Sequence, residues 1–121
     1  MAYIDGFLVP VPAARKDEYL AMARAAAPLF KEMGANRIVE TWGDDLMDGK
    51  ITDFKKAVAA EEGENVVFSW IEYPDKAVRD EANRKMMEDK RFEALGEMPF
   101  DGKRMIFSGF APIFDSEGTL V

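Results

Sequence analysis

The centre of the chain reads Asn65-Val66-Val67-Phe68-Ser69-Trp70-Ile71-Glu72-Tyr73. β-Branched and aromatic residues dominate these nine positions, a composition that is typical of a β-strand. Pro74 follows directly and is expected to end the strand, and Asp75 can cap a helix that we predict to run to about Glu88. Because successive side chains of a strand point to opposite faces, this strand carries bulky apolar groups on both of its faces.

The elements on either side of this strand predict the order strand, helix, strand, strand, helix, strand. The other predicted strands cover residues 2–11, 36–43 and 103–114, and the first predicted helix covers residues 13–33. Pro10 and Pro12 are expected to end the pairing of the first strand, and Pro28 to kink the first helix or end its first section. The stretch 52–60 fits either a short helix capped by Thr52 or a strand in a hairpin, and the hairpin is slightly favoured.

The βαββαβ order is that of an α+β, ferredoxin-like protomer, whose antiparallel sheet carries both helices on one face. In a monomer the other face of the sheet should be polar, but apolar side chains occupy both sides of the first, third and last strands. Leaving one such side chain in water costs about 1.5–3 kcal/mol relative to burying it. We therefore predict a homodimer in which two sheets pack face to face, with a monomer bearing a functional apolar patch as the alternative.

The composition excludes several classes of function. The 121 residues suit one domain, which we assign to residues 2–115, with a C-terminal tail at 116–121. The chain has no Cys and no His, which excludes thiol chemistry, histidine triads and histidine-ligated haem or zinc within one chain. A net charge of −7 argues against nucleic acid and anionic membranes as partners. With no apolar run long enough for a bilayer and no signal peptide visible, we expect a cytoplasmic protein.

Alternation along the predicted strands sorts the side chains by face. One face collects aromatic residues and three carboxylates: Tyr3, Asp5, Phe7, Ile38, Glu40, Trp42, Phe68, Trp70 and Glu72. The other face is nearly free of acids and collects Ile4, Leu8, Val39, Val67, Ser69 and Ile71. We expect this second set to pack under the helices and the first set to form the open face, turned toward the partner. Aromatic walls with a few polar groups are typical of a small-molecule pocket.

Glu40 and Glu72 are the candidate catalytic residues, because burial among aromatic side chains raises the pKa of a carboxyl group and suits it to proton transfer. The candidate substrate-binding residues are Tyr3, Phe7, Trp42, Phe68, Trp70 and Arg104, with Lys103 as a second cation that could bind an anion. The structural alternative is that both glutamates reach water near strand ends or form ion pairs with basic residues. Asp44, Asp45 and Asp48 do not have the spacing of a calcium loop, so we predict no metal site and no cofactor.

Several long motifs resemble a known family. They are Glu40-Thr-Trp-Gly-Asp-Asp45, Asp48-Gly-Lys50, Val67-Phe-Ser-Trp-Ile-Glu-Tyr-Pro-Asp-Lys-Ala-Val-Arg-Asp-Glu-Ala-Asn83, Met86-Met87 and Met98-Pro-Phe-Asp-Gly-Lys-Arg-Met-Ile106. Across residues 3–115 the chain resembles the YbaA-like bacterial proteins of unknown function, within the dimeric α/β-barrel superfamily. The resemblance implies a ferredoxin-like protomer whose sheets pack face to face, and it brings no established activity. Haem-degrading members of the superfamily use a His that this chain lacks, so that activity is not carried over.

Three functions remain open at this level. The first is a cofactor-free enzyme that uses Glu40 or Glu72 for proton transfer on a small apolar or aromatic compound. The second is a protein that binds such a compound without converting it. The third is a structural homodimer whose side chains fill the space between the sheets and leave no cavity.

Overall fold

Four strands and two long helices form the fold, which we describe from a computed structural model covering all residues from Met1 to Val121. The strands are β1 (Tyr3–Pro12), β2 (Arg37–Trp42), β3 (Glu64–Tyr73) and β4 (Ile106–Phe110). The long helices are α1 (Lys16–Glu32), which follows a 3₁₀ turn at Ala13–Arg15, and α3 (Lys76–Glu88). Two single-turn helices, α2 (Phe54–Ala57) and α4 (Lys90–Glu93), lie in the connections. None of the helices combines the length and the apolar character that crossing a membrane requires.

The sheet has the strand order β2-β3-β1-β4, and every neighbouring pair is antiparallel. The central pair, β1 and β3, is in register from Tyr3 opposite Tyr73 to Pro12 opposite Glu64. The first and third strands therefore lie in the middle, and the second and fourth strands form the two edges. This is the strand order of a ferredoxin-like sheet, so the predicted α+β fold class is confirmed.

Residues opposite each other across the sheet share a face, so the register sorts the side chains. The helix face, which packs under α1 and α3, carries Asp5, Phe7, Val9, Ile38, Glu40, Trp42, Val67, Ser69, Ile71 and Tyr73. The open face, which no long helix covers, carries Ile4, Gly6, Leu8, Val39, Phe68, Trp70, Glu72, Ile106, Ser108 and Phe110.

The predicted sorting is therefore confirmed for β3 and wrong for β1 and β2, whose faces are exchanged. Tyr3, Asp5 and Phe7 alternate with Ile4 and Leu8 as predicted, but they lie on the side of the helices. Alternation fixes the two faces within one strand, whereas the phase between two strands depends on their pairing register. A shift of one residue in the assumed register moves every side chain of a strand to the other face, which is the error made here.

Proline does not interrupt the elements as predicted. β1 continues through Pro10, which lies opposite Val66, and reaches Pro12. Strand β4 pairs with β1 only as far as Leu8, so the proline-containing end of β1 has a single neighbour, where the missing N–H is tolerated. Helix α1 likewise continues past Pro28 to Glu32, so Pro28 does not end it.

The connection between β2 and β3 is a short helix, and the favoured hairpin is wrong. The side chain of Asp53, rather than that of Thr52, caps α2 by accepting hydrogen bonds from the backbone N–H of Lys56 at 2.7 Å and of Gly49 at 3.1 Å. Helix α2 contacts β1 and β3, and the Phe54 ring lies 6.1 Å from the Phe68 ring on the open face. One end of the open face is therefore covered by this connection.

The core lies between the helix face and the two long helices. One cluster of buried residues consists of Val9, Val11, Tyr19 and Val67, and a second consists of Ala35, Ile71, Tyr73 and Ala82. The close approach of α3 to the end of α1 requires glycine at Gly34, which has a φ of 114° and where an added Cβ would lie 2.5 Å from the Val78 side chain. The packing thus holds both long helices on one side and leaves the opposite side of the sheet without an equivalent layer.

Candidate functional site

A groove with a volume of about 850 Å³ runs across the open face. This volume lies within the range of roughly 300–1,000 Å³ that is usual for small-molecule sites. Most of its lining is apolar, and the lining residues are Ile4, Gly6, Phe7, Leu8, Phe68, Trp70, Ile106, Phe107, Phe110 and Leu120, with Arg37, Glu72 and Ser108 as the polar members.

The middle row of the groove contains two small residues. Gly6 of β1 lies opposite Trp70 of β3 on one side and Ser108 of β4 on the other. Gly6 has no side chain, and a Cβ added there would already lie 3.3 Å from the Phe110 ring. The Phe110 ring therefore lies over Gly6, and the rows on either side carry the bulkier Ile4 and Leu8.

One end of the groove is polar. The carboxylate of Glu72 accepts a hydrogen bond of 2.8 Å from the indole Nε1 of Trp70, and Arg37 Nη1 lies 4.0 Å from Glu72 Oε2. Arg37 lies directly opposite Glu72 in the β2–β3 register. The hydrogen bond holds the Trp70 ring, which also makes an edge contact with the Phe68 ring at 5.7 Å. The predicted residues Phe68, Trp70 and Glu72 are thus brought together in one groove.

Glu40 lies on the opposite side of the sheet from Glu72, so the two candidate carboxylates do not belong to one site. Its carboxylate accepts a short hydrogen bond from the hydroxyl of Tyr19 on α1, close to Ser69. Burial raises the pKa of Glu40, although hydrogen bonds from Tyr19 and Ser69 lower it in part. Burial, together with the charge of Glu40, raises the pKa of Tyr19 as well. The carboxyl group has the expected kind of environment, but on the helix face.

Tyr3, Phe7 and Trp42 also have their side chains on the helix face. The Arg79 guanidinium lies 5.2 Å from the centre of the Tyr3 ring, and the Lys16 ammonium lies 5.3 Å from that of Trp42. Phe7 packs against both core clusters and stacks on Phe107 with 5.8 Å between ring centres, although it also borders the groove.

Arg104 forms ion pairs away from the groove. Its guanidinium donates two hydrogen bonds to the Glu64 carboxylate, at 2.6 and 2.7 Å, and one to Asp101 at 3.1 Å. The hydrogen bonds from Arg104 lower the pKa of Glu64. The donors of Arg104 are therefore occupied by the protein's own acids, and Lys103 also does not line the groove.

Several residues that line the groove or form a buried ion pair were not predicted from the sequence. Leu120 reaches the groove because the Asp115 side chain accepts hydrogen bonds from two backbone N–H groups, including that of Leu120 at 2.7 Å. On the helix face, Arg79 of α3 donates a hydrogen bond of 2.8 Å to Asp5, which is only 1% exposed. Alternation in the last strand could have indicated Ile106 and Phe110, whereas no local pattern marks Leu120 or the pairing of Arg79.

No three side chains of the types His, Cys, Asp and Glu lie close enough together to hold a metal ion. The arrangement on the open face can instead bind an apolar molecule against rings and aliphatic groups, with the two charged groups at one end and the Ser108 hydroxyl in the middle row.

The fold and the groove define a small ferredoxin-like α+β protein with an apolar sheet face that lacks a covering layer. The chain belongs to the family described as "Protein of unknown function (DUF1428)", whose match covers residues 2–102. It is 66% identical over 116 residues to the "Uncharacterized protein YbaA" of Escherichia coli strain K12, which covers 95% of this chain and 99% of that protein. The YbaA protein of Shigella flexneri matches to the same extent. The resemblance to the YbaA-like family is thereby confirmed.

Solved structures with low sequence identity share the fold. A dimeric ferredoxin-like protein from an uncultured marine organism has a TM-score of 0.55 at 10% identity, covering 90% of this chain and 91% of that one. An uncharacterised NIPSNAP domain protein from Burkholderia xenovorans has a TM-score of 0.54 at 15% identity, with coverages of 91% and 93%. At such identities the likeness shows the ferredoxin-like fold and carries no chemistry.

Proposed function

We propose that this protein is a cytoplasmic homodimer that binds a small, mostly apolar molecule in the groove between the two facing sheets. The observation that carries the proposal is the groove itself, an apolar hollow of about 850 Å³ on a sheet face that has no helix layer. The absence of Cys from the sequence is consistent with a cytoplasmic location.

The amount of exposed apolar surface supports the pairing of two copies. Four residues that line the groove, Phe110, Phe107, Phe68 and Ile106, are 58%, 55%, 46% and 46% exposed. With full side-chain areas of about 150–250 Å², these residues expose roughly 400 Å² of apolar surface. A stable interface buries about 800 Å² on each partner, so these four side chains alone supply about half of the required area. The dimeric state of the marine ferredoxin-like protein with the same fold gives further support.

The row that contains Gly6 and Ser108 supports a pocket between the paired sheets. Two packed sheets lie about 10 Å apart, and large side chains on both inner faces normally fill that space. In this row Gly6 and Ser108 are too small to reach the partner sheet, so space would remain beside Trp70 and next to the Phe110 ring that lies over Gly6. A flat aromatic or short aliphatic molecule fits such a hollow.

A specific observation favours proton-transfer catalysis as a second candidate function. Glu72 is the only carboxylate that lines the groove, and its side chain is only 13% exposed. A carboxylate in that position could move a proton on a bound molecule without a cofactor. Glu40, with Tyr19, would be a separate acid–base pair that a substrate could reach only from between α1 and the sheet.

Native mass spectrometry at low micromolar concentration tests the dimer. We expect a dimer for the wild type, a monomer for Phe110→Asp and a dimer for the control Met87→Asp. Met87 is 85% exposed on α3, away from the open face, so a charge there should leave the dimer intact. A wild-type protein that is a folded monomer under these conditions would contradict the proposal.

Equilibrium dialysis with naphthalene, a neutral aromatic probe, tests the pocket. We expect saturable binding to the wild type, and loss of binding in Ser108→Leu, which fills the hollow. A dimer that takes up no naphthalene would indicate the structural homodimer instead. Turnover is tested separately, because Glu72→Gln should abolish any conversion of a bound compound without abolishing its binding.

A further inference from the structure

We propose that the natural ligand of the groove carries one anionic head, of the carboxylate type, which Arg37 binds at the polar end while an apolar body lies along the sheet. This inference rests on the proposed function and specifies its ligand class. The starting observation is that the polar side chains of the groove are few, and that Arg37 and Glu72 are the two charged ones.

The donors and acceptors at this end are not equally occupied. The indole N–H of Trp70 is already used by Glu72, with an Nε1–Oε2 distance of 2.8 Å. The same oxygen, Oε2 of Glu72, lies 4.0 Å from Arg37 Nη1, and the Glu72 side chain is only 13% exposed. Because one oxygen is occupied and the carboxylate is largely buried, Glu72 is less accessible to an incoming group than Arg37.

Arg37, in contrast, is exposed and has unused hydrogen-bond donors. Its guanidinium makes no side-chain hydrogen bond, and its single ion-pair contact, to Glu72, is at the long distance of 4.0 Å. The side chain is 66% exposed, yet it lines the groove. A guanidinium presents five N–H donors in a planar fork that matches the two oxygens of a carboxylate. The unfilled group at the polar end is thus a cation with free donors.

The different exposure of the two charged groups favours an acid over an amine. Because Arg37 and Glu72 lie 4.0 Å apart, either kind of head meets one attractive and one repulsive charge, but the Arg37 side chain is 66% exposed and that of Glu72 only 13%. The net charge of −7 opposes anions at long range, but at physiological ionic strength such fields are screened over about 8 Å, so the contact with Arg37 dominates at binding distance. For a partly exposed guanidinium we expect a preference on the order of tenfold for the anionic head over a neutral one.

The apolar body must be of moderate length. The apolar lining on β1 extends from Ile4, next to the polar end, to Leu8, next to the ring of Phe68. Four residues of a strand rise roughly 13 Å, and helix α2 covers the sheet beyond that point. A medium-chain acid or an aromatic acid fits this length, and octanoate is a suitable probe.

A fluorescence titration with a single tryptophan tests the inference. The chain has two tryptophans, and Trp42→Phe leaves Trp70 as the only one, inside the groove. In this background we expect octanoate to bind on the order of tenfold more tightly than octanol, with octylamine weakest. Adding Arg37→Gln should remove the difference between acid and alcohol. The matched control, Arg24→Gln on α1, removes the same charge away from the groove and should leave the difference unchanged.

The outcomes separate this inference from the proposed function. Equal binding of octanoate and octanol, or a preference that survives Arg37→Gln, overturns the anionic-head inference and leaves the binding function standing. Tightest binding of octylamine also overturns it and would assign the polar end to Glu72. If none of the three compounds binds and naphthalene also fails to bind, the proposed function itself is wrong.

Discussion

The substitution Arg79→Met should lower the free energy of unfolding more than any other single replacement of a basic residue. Arg79 Nε donates a hydrogen bond of 2.8 Å to Asp5, whose carboxylate is 1% exposed in the central strand β1. The only other side-chain donor to this carboxylate is Asn83, at the long distance of 3.5 Å. Removing one partner of a buried ion pair costs about 3–5 kcal/mol, because the remaining charge stays buried without compensation. That is a large part of a typical total stability of roughly 5–15 kcal/mol.

Urea denaturation followed by circular dichroism gives the measurement. With a slope of roughly 2 kcal/mol per molar urea, Arg79→Met should lower the midpoint by about 2 M. Protein concentration must be equal in all samples, because dimerisation shifts apparent stability. Arg84→Met on the same helix is the control, since Arg84 pairs only with the exposed Glu81 and Glu88 and should cost at most about 1 kcal/mol.

The double variant Asp5→Leu/Arg79→Met gives a second readout for the same pair. Replacing both charges by apolar groups removes the unpaired carboxylate, so this variant should recover most of the lost stability. An Arg79→Met protein that is no less stable than Arg84→Met would refute the assignment of Asp5 as a buried charge that depends on α3.

Two further predictions concern Glu40, whose carboxylate on β2 contacts Tyr19 of α1, and Pro28 within α1. Burial raises the pKa of Glu40, so the folded state binds this proton more tightly than the unfolded state, and the contribution of Glu40 to stability decreases as pH rises through its folded pKa. Glu40→Gln, which keeps an acceptor for the Tyr19 hydroxyl, should therefore gain stability relative to wild type as pH rises above the ordinary glutamate pKa of about 4.3. A constant difference across urea titrations at several pH values would contradict this. Pro28→Ala should stabilise the protein by about 1–3 kcal/mol, because proline is about 3 kcal/mol less favourable than alanine inside a helix; an unchanged or lower Tm would show that Pro28 is not strained in its position.

The order of elements could be predicted from the sequence because each long element has its own local pattern. The apolar run of β3 and the Asp75 cap of α3 lie within single stretches of sequence, and both elements were placed within a residue or two of their observed bounds. The prediction for residues 52–60 was wrong because this stretch has features of both elements. Thr52 and Asp53 can each begin a helix, while the apolar residues that follow also suit a strand. Tertiary contacts of α2, which no local pattern reports, decide between the two.

The candidate site could be predicted only in part, for the same reason. Phe68, Trp70 and Glu72 lie on one strand, so alternation alone placed them together. Glu40 lies on another strand, and its face depends on a register that the intervening loops set. The row of small residues at Gly6 was not predicted, because a missing side chain matters only once the residues opposite it are known.

Helix α2 has a consequence for how two copies can align. It occupies the open face at the Val66 end of β3, so a second sheet can dock only on the remaining part of that face. In a two-fold pair, the α2 helix of each copy would then block the other sheet from sliding along the strand direction. The loop between β2 and β3, rather than the flat apolar surface, would select one offset among several of similar energy. Changing the length of that loop should therefore shift the two sheets relative to each other without altering any residue of their contact surface.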